Sequence, residues 1–200
     1  MQKQFFIVIG RPGCGKGTQA DLLKKVLEER RYTDVLHIST GEGFREFVGG
    51  DTYISKMAKE VNDTGGLQPE FLAVWNWANI FIKKLKGGET IILDGAPRKP
   101  FESKILHSAI HFLGYEKPTV MHVDVSEGWA RERLLARGRG DDNKEDVERR
   151  LSWFETEVLP AFQTYLADPR YRVLRINGEQ TIEEVHQEIV SKLNLESSTV

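Results

Sequence analysis

The sequence has little cysteine, no long apolar run and almost no net charge. Its single cysteine, Cys14, has no disulfide partner in the chain, which fits a reducing compartment. The apolar run at 5–9 ends at Gly10 and Arg11, so it is too short for a signal-peptide core or a membrane span. A formal net charge of -2 gives no general attraction to nucleic acid. We therefore expect a cytoplasmic protein without a nucleic-acid or membrane partner.

Short apolar runs alternate with helical patterns along the 200 residues. Runs rich in Val, Ile and Leu predict strands at 5–10, 35–39, 90–94, 118–125 and 171–176. Helical spacing fills the segments between them, including long helices at 69–85 and 145–167, the second bent near Pro160. Continuous apolar strands separated by helices indicate a parallel sheet covered on both faces. The prediction is a single α/β domain with a five-stranded parallel sheet.

The segment GRPGCGKGTQA, residues 10–20, joins the first predicted strand to the first helix. Gly10, Gly15 and Lys16 match the phosphate-loop pattern, in which backbone N–H groups and a helix dipole hold a phosphate. That pattern has Ser or Thr after the lysine, but here Gly17 follows and Thr18 comes one position later. The alternative is a glycine-rich turn with an exposed lysine.

Two other features point to phosphate chemistry. The strand 90–94 ends in Asp94 and is followed by Arg98; an acid placed there can organise Mg²⁺ and its waters. The alternative for Asp94 is a residue that caps a turn. Further arginines stand at 45, 133, 137, 139 and 150. They suit either a focused anion site or a solvated helix face with salt bridges.

These motifs resemble adenylate kinases and related nucleoside monophosphate kinases. Four motifs occur in the family's order within residues 5–193: GRPGCGKGTQA, HISTGEGFR, LDGAPR, and RGRGDDN followed by an arginine pair. The family uses Gly-Lys-Gly-Thr in its loop, so the displaced threonine fits. The resemblance implies a P-loop NTPase-type fold with a core at 1–39, 69–136 and 143–194. It also implies a helical acceptor-binding insertion at about 40–68 and a short lid at about 137–142.

The resemblance also implies a reaction and its residues. The reaction is reversible phosphoryl transfer from Mg-ATP to a nucleoside monophosphate, AMP favoured, by a monomer. The implied catalytic residues are Lys16, Asp94, Arg98, Arg137, Arg139 and Arg150, with Asp94 acting through Mg²⁺-bound water. The implied ATP-binding residues are Gly13, Cys14, Gly15, Lys16, Gly17, Thr18, Arg133, Arg137 and Gly178. The implied acceptor-binding residues are Thr40, Gly41, Arg45, Leu67, Gln68, Gly95, Arg98, Glu102, Arg139 and Arg150. Asp141 and Asp142 would help to orient the lid arginines.

The departures from the family pattern cluster around the acceptor base. Ala96 replaces a phenylalanine, and Glu102 replaces a glutamine that reads the base. A carboxylate only accepts hydrogen bonds, so it suits the two donors of guanine better than the edge of adenine. We hypothesise that Glu102 shifts the choice of acceptor away from strict AMP. The alternatives are that Glu102 faces solvent, or that Gln68 reads adenine in its place; Trp75 and Trp77 nearby are expected in the core.

Other functions remain open at this level. GMP or another nucleoside monophosphate is an alternative acceptor. A nucleotide-binding regulatory module that has lost turnover is a second alternative, and another small-molecule P-loop kinase is a third. The position of Cys14 near the start of a helix also predicts a lowered thiol pKa.

Overall fold

The computed structural model describes residues 3–30, 32, 34–138 and 143–195. Within them, a five-stranded sheet has the order β2-β3-β1-β4-β5, and every neighbouring pair is parallel. The strands are β1 Phe5–Gly10, β2 Val35–Ser39, β3 Thr90–Asp94, β4 Thr119–Asp124 and β5 Arg172–Asn177. The predicted parallel α/β fold is therefore confirmed.

Helices cover both faces of the sheet. They are α1 Lys16–Glu29, α2 Thr40–Val48, α3 Tyr53–Asp63, α4 Glu70–Lys84, α5 Pro100–Phe112, α6 Glu127–Arg137, α7 Lys144–Trp153, α8 Leu159–Leu166 and α9 Ile182–Lys192. Alternate residues of β1 supply the two cores: Phe6 and Val8 pack with α1 and α9, whereas Phe5 and Ile7 pack with α4, α5 and α8. This two-sided burial explains why β1 has no polar face. Among the described residues, no helix has the length and apolar character to cross a bilayer.

The predicted long helix at 145–167 differs in the structure. Between α7 and α8 the backbone forms a π-helical turn, Phe154–Val158, in which the N–H of Leu159 bonds to the carbonyl of Phe154. Pro160 follows directly; it has no N–H, and its ring conflicts with the carbonyl four residues earlier. The bend predicted at Pro160 therefore takes the form of a widened turn on its N-terminal side. The turn lies next to Trp153, which faces the cleft described below.

Helices α2 and α3 occupy the predicted acceptor-binding insertion. They share a small apolar cluster of Phe44, Ala58 and Leu72, separate from the two cores of the sheet. The division into core, insertion and lid stays a prediction, and residues 139–142 of the lid lie outside the described residues. Trp77 is in the core as predicted, but Trp75 is 41% exposed and lies against Phe47, so its predicted core position is wrong.

Candidate active site

A cleft of about 480 Å³ lies at the carboxyl edge of the sheet. The strands β1 and β3 are parallel neighbours, so the phosphate loop and Asp94 leave the sheet at the same edge. The cleft brings together many of the residues predicted from the sequence. They are Gly13, Gly15, Lys16, Gly17, Thr18, Gly41, Arg45, Gln68, Asp94, Gly95, Arg98, Arg133, Arg137 and Arg150.

The phosphate loop is shaped by glycines in the left-handed region. Gly13 has φ 85°, and a side-chain carbon there would lie 2.8 Å from the carbonyl oxygen of Ala130. Gly15 has φ 89° and precedes α1, whose first turn has neither a side-chain cap nor an acidic residue. The N–H groups at this helix start are therefore not covered by side chains, which suits an anion.

Lys16 folds back over its own loop. Its Nζ donates hydrogen bonds to the carbonyl oxygens of Gly10 at 2.8 Å and Arg11 at 2.9 Å. Because these bonds are to neutral carbonyls, the ammonium charge is not neutralised by them. The lysine is thus held at the mouth of the loop with a charge that a phosphate can meet.

Asp94 lies beside the residue that follows the lysine. Its Oδ2 lies 3.5 Å from the position that a side-chain carbon on Gly17 would occupy. Burial raises the pKa of the Asp94 carboxyl, while Lys16 and His37 oppose that shift. Its Oδ1 is buried and has no hydrogen-bond partner among the described residues. A buried carboxylate oxygen in this position can accept a hydrogen bond from a metal-bound water.

The side of the cleft that is predicted to bind the acceptor gathers positive charge. Burial lowers the pKa of the Arg98 guanidinium, and the nearby charges of Arg150 and Arg45 act in the same direction. The Nε of Arg98 donates to the carbonyl of Gly95 at 2.8 Å, which fixes the side chain. Like charges brought together in a partly buried cleft are stabilised by an anion between them.

Arg133 and Arg137 extend the cleft from the last turns of α6. The Arg133 guanidinium carbon lies 4.5 Å from the centre of the Trp129 ring, which orients the side chain. Gly178 follows β5 and lines neither the cleft nor the slot described below. A side-chain carbon there would lie 2.6 Å from Val125, so this glycine serves close packing in the structure. Its predicted contact with ATP stays a prediction.

The structure corrects the expectation for Cys14. The side chain is 6% exposed and packs in the core below the loop, with Sγ 3.7 Å from the Nζ of Lys16. Burial raises the pKa of the Cys14 thiol, and the opposing effect of Lys16 is smaller. The prediction of a lowered pKa is wrong because the sulfur lies in the apolar core.

A narrow slot of about 20 Å³ adjoins the cleft and contains three more of the residues predicted to bind the acceptor. Thr40, Leu67 and Glu102 line it together with Gln68, Gly95 and Arg98. Glu102 is 2% exposed, which rules out the solvent-facing alternative. Its Oε1 accepts from the indole Nε1 of Trp77 at 3.1 Å, and its Oε2 accepts from the backbone N–H of Arg98 at 2.7 Å.

Sequence reasoning missed Trp153 as a residue of the site. Its ring lies 5.6 Å from the Arg98 guanidinium carbon, and its Nε1 donates to the carbonyl of Gly65 at 3.1 Å. It lies three residues after Arg150, a spacing that puts both side chains on one face of α7. That spacing was the available signal. Arg139, Asp141 and Asp142 lie outside the described residues, so their predicted roles are not addressed by the geometry.

Comparison with known proteins agrees with this geometry. Residues 8–169 match the family described as "Adenylate kinase". The chain belongs to the adenylate kinase family. It is 34% identical to an adenylate kinase of Nautilia profundicola, with 94% of each chain covered. It is 33% identical to adenylate kinase 1 of a Nostoc species and 31% identical to an adenylate kinase of Corynebacterium urealyticum, over 94% of this chain and 97% and 98% of those proteins. Membership of the adenylate kinase family makes the chain a nucleoside monophosphate kinase, a transferase that binds nucleotides and ATP.

Proposed function

We propose that this chain transfers the terminal phosphoryl group of Mg-ATP to AMP, reversibly, to give two molecules of ADP. The observation that carries the proposal is the convergence of Lys16, Asp94 and Arg98 on one cleft at the start of α1. The names of the relatives, all adenylate kinases, support AMP as the acceptor.

The phosphate loop binds the phosphates of the donor. The N–H groups at the start of α1 meet the phosphate oxygens, and Lys16 leaves the carbonyls of Gly10 and Arg11 to bind them. Arg133 lies against the donor adenine. Its contact with the Trp129 ring holds the guanidinium in place, so that its plane can stack on a base. Arg137, on the same helix, faces the transferred group.

The arginines of the acceptor side bind the monophosphate. Arg45 and Arg98 hold its dianion, and Arg150 neutralises charge on the transferred phosphoryl group, with Arg139 in the same role. Phosphoryl transfer needs alignment of two anions and screening of their repulsion more than proton transfer by the protein. The concentration of arginines at Arg98 fits that demand.

The residues present fit Mg²⁺ held through phosphates and water. Among the described residues, no group of three or more His, Cys, Asp or Glu side chains could hold a metal ion. Within those residues, the buried Oδ1 of Asp94 receives no hydrogen bond from the protein. When bound with ATP, the metal neutralises charge on the outer phosphates. Asp94 would accept a hydrogen bond from water carried by the metal, and Gly17 would leave room for that water because it has no side chain.

A coupled assay of ADP formation tests the proposal. The purified chain is given ATP with AMP, GMP, CMP or UMP, with and without Mg²⁺, and with ATP alone as the control for hydrolysis. We expect turnover with AMP and Mg²⁺ well above every other pair. A higher kcat/KM for GMP than for AMP would establish the alternative acceptor, and tight nucleotide binding without turnover would establish the regulatory module.

A further inference from the structure

The side chain of Arg11 starts in the phosphate loop but ends outside the cleft. Its neighbours Gly10 and Pro12 line the cleft, whereas Arg11 is not among the described residues that do so. Its guanidinium instead reaches the π-helical turn Phe154–Val158 that follows α7. The side chain is only 18% exposed, so the guanidinium is held against the protein and is not free in solvent.

Two consecutive residues of the turn hold this guanidinium. Its Nη2 donates a hydrogen bond to Oε1 of Glu155. Its central carbon lies 4.7 Å from the centre of the Phe154 ring, within the range of a cation–π contact. Phe154 is itself fixed, because it is 2% exposed and its ring is nearly parallel to that of His122 on β4. The arginine therefore rests on a well-packed part of the turn.

The backbone of Arg11 is tied to Lys16. Its carbonyl oxygen accepts hydrogen bonds from the Nζ of Lys16 at 2.9 Å and from the backbone N–H of Cys14 at 3.2 Å. At the other end of the side chain, the turn directly follows the helix that carries Arg150 into the cleft. Arg11 therefore joins the loop proposed to bind the donor phosphates to the helix whose arginine is proposed to neutralise the transferred group.

We propose that Arg11 is a positioning residue for phosphoryl transfer, which sets the distance between the phosphate loop and α7 through Glu155 and Phe154. The inference rests on the proposed function, since it concerns the alignment of donor and acceptor in the same reaction. Transfer depends on the relative placement of two bound anions, and a displacement of about 1 Å can cost about a hundredfold in rate. Arg11 is not a catalytic residue, because its guanidinium contacts the turn and not the reacting groups.

Steady-state kinetics of Arg11→Met give the first test. Methionine keeps an unbranched side chain and the backbone carbonyl that Lys16 uses, but it has no charge. We expect kcat to fall roughly tenfold to a hundredfold. The KM for ATP and the KM for AMP should stay nearly constant, because each nucleotide still binds its own side of the cleft. Arg11→Lys, which retains a charge for Glu155, should have a kcat between those of wild type and Arg11→Met. An unchanged kcat in folded Arg11→Met would overturn the proposal.

Glu155→Ala distinguishes positioning from a direct effect of charge on the phosphates. The change leaves Arg11 in place and removes a negative charge near the loop, so a direct electrostatic effect would leave kcat unchanged or raise it. Loss of the contact should instead lower kcat, as Arg11→Met does. The double variant should be no slower than the slower single variant, since both changes break one contact. A kcat at or above the wild-type value in Glu155→Ala contradicts the inference.

The matched control is Arg170→Met. Arg170 also pairs with a carboxylate, since its Nη2 donates to Oδ2 of Asp168 at 2.6 Å, but the pair lies between α8 and β5 and not in the cleft. Arg170→Met should keep wild-type kcat, and thermal unfolding of both variants ensures that the rates are compared below the Tm. An equal fall of kcat in the two variants would overturn the assignment to Arg11.

Equilibrium binding separates this inference from the proposed reaction. The probe is a bisubstrate analogue, two adenosines joined by five phosphates, which spans both sides of the cleft and requires their correct separation. Calorimetry compares its affinity with those of ATP alone and AMP alone, for wild type and Arg11→Met. A loss confined to the analogue supports the inference even if wild type shows no phosphoryl transfer, in which case the proposed reaction alone is wrong. An equal loss for all three ligands, with turnover of AMP intact in wild type, overturns the inference and leaves the reaction standing.

Discussion

The edge of the cleft that carries the phosphate loop and the slot beside Arg98 lie side by side but are assembled differently. The edge takes its groups from short stretches that directly follow strands, such as the loop after β1 and Asp94 at the end of β3. The slot takes its groups from α2, from the loop before α4 and from the start of α5. Buried hydrogen bonds fix them, such as Trp77 to Glu102 and Gln68 to Ala58. The edge presents charge to solvent-accessible space, whereas the slot presents neutral and acidic acceptors inside the protein. Mutations at the edge should therefore affect turnover, and mutations in the slot should affect stability and selectivity.

The largest effect is expected at the edge, for Lys16→Ala. The ammonium group faces the transferred phosphoryl group in the proposed reaction, and removal of such a group costs several kcal/mol in the transition state. We expect kcat to fall about a thousandfold or more, with little change in the denaturant midpoint, since its bonds are to carbonyls at the cleft. Steady-state kinetics and urea unfolding measure the two quantities.

The matched control for that variant is Lys25→Ala, at an exposed position of the same helix. It should keep wild-type kcat. If Lys16→Ala also keeps near wild-type kcat with any monophosphate, the phosphate-loop assignment is wrong.

The second effect, on stability, is expected in the slot for Glu102→Gln. A glutamine has one oxygen for the two donors that Glu102 now binds, so either the Trp77 indole or the Arg98 backbone N–H would face an amino group. We expect a loss of about 1–3 kcal/mol in the free energy of unfolding, measured by urea denaturation. The hypothesis from the sequence expects the same change to raise kcat/KM for AMP relative to GMP. That ratio is therefore measured on the same variant as its free energy of unfolding.

A double-mutant cycle with Trp77→Phe sharpens the test. Phenylalanine removes the indole donor, so in the double variant the single amide oxygen of the introduced glutamine can serve the Arg98 backbone without conflict. The cost of Glu102→Gln should then be smaller than in wild type. Strictly additive costs would mean that the two side chains do not act as a pair.

The same contrast explains how much the sequence could predict. Lys16, Asp94 and Arg98 were found because each stands at a fixed distance from the end of an apolar strand, and a parallel sheet brings such ends together. The hydrogen bond from Trp77 to Glu102 joins residues 25 positions apart. No local pattern encodes it, because it depends on how α4 packs against α5.

Burial accounts for the sequence predictions that were wrong. Cys14 was placed near a helix start, but its sulfur turns into the core, where desolvation of the thiolate outweighs the opposing charge of Lys16. Trp75 and Trp77 look alike in the sequence, yet two residues along a helix turn the side chain by about 200°. One indole is therefore in the core while the other lies on Phe47 near the surface.

The smallest effect is expected for Trp153→Phe, which belongs to both regions. The indole N–H bonds to Gly65, at the end of the acceptor insertion, while the ring lies under Arg98 at the phosphate edge. Phenylalanine keeps a ring and removes only the hydrogen bond, which is worth about 0.5–1.5 kcal/mol. The KM for AMP should then rise about twofold to tenfold, with kcat and the KM for ATP nearly constant. Trp153→Leu also removes the ring and should raise it further, whereas Trp75→Phe, on α4, should change neither KM. An equal rise in both KM values for Trp153→Phe would mean that the contact holds the whole cleft together and is not specific to the acceptor side.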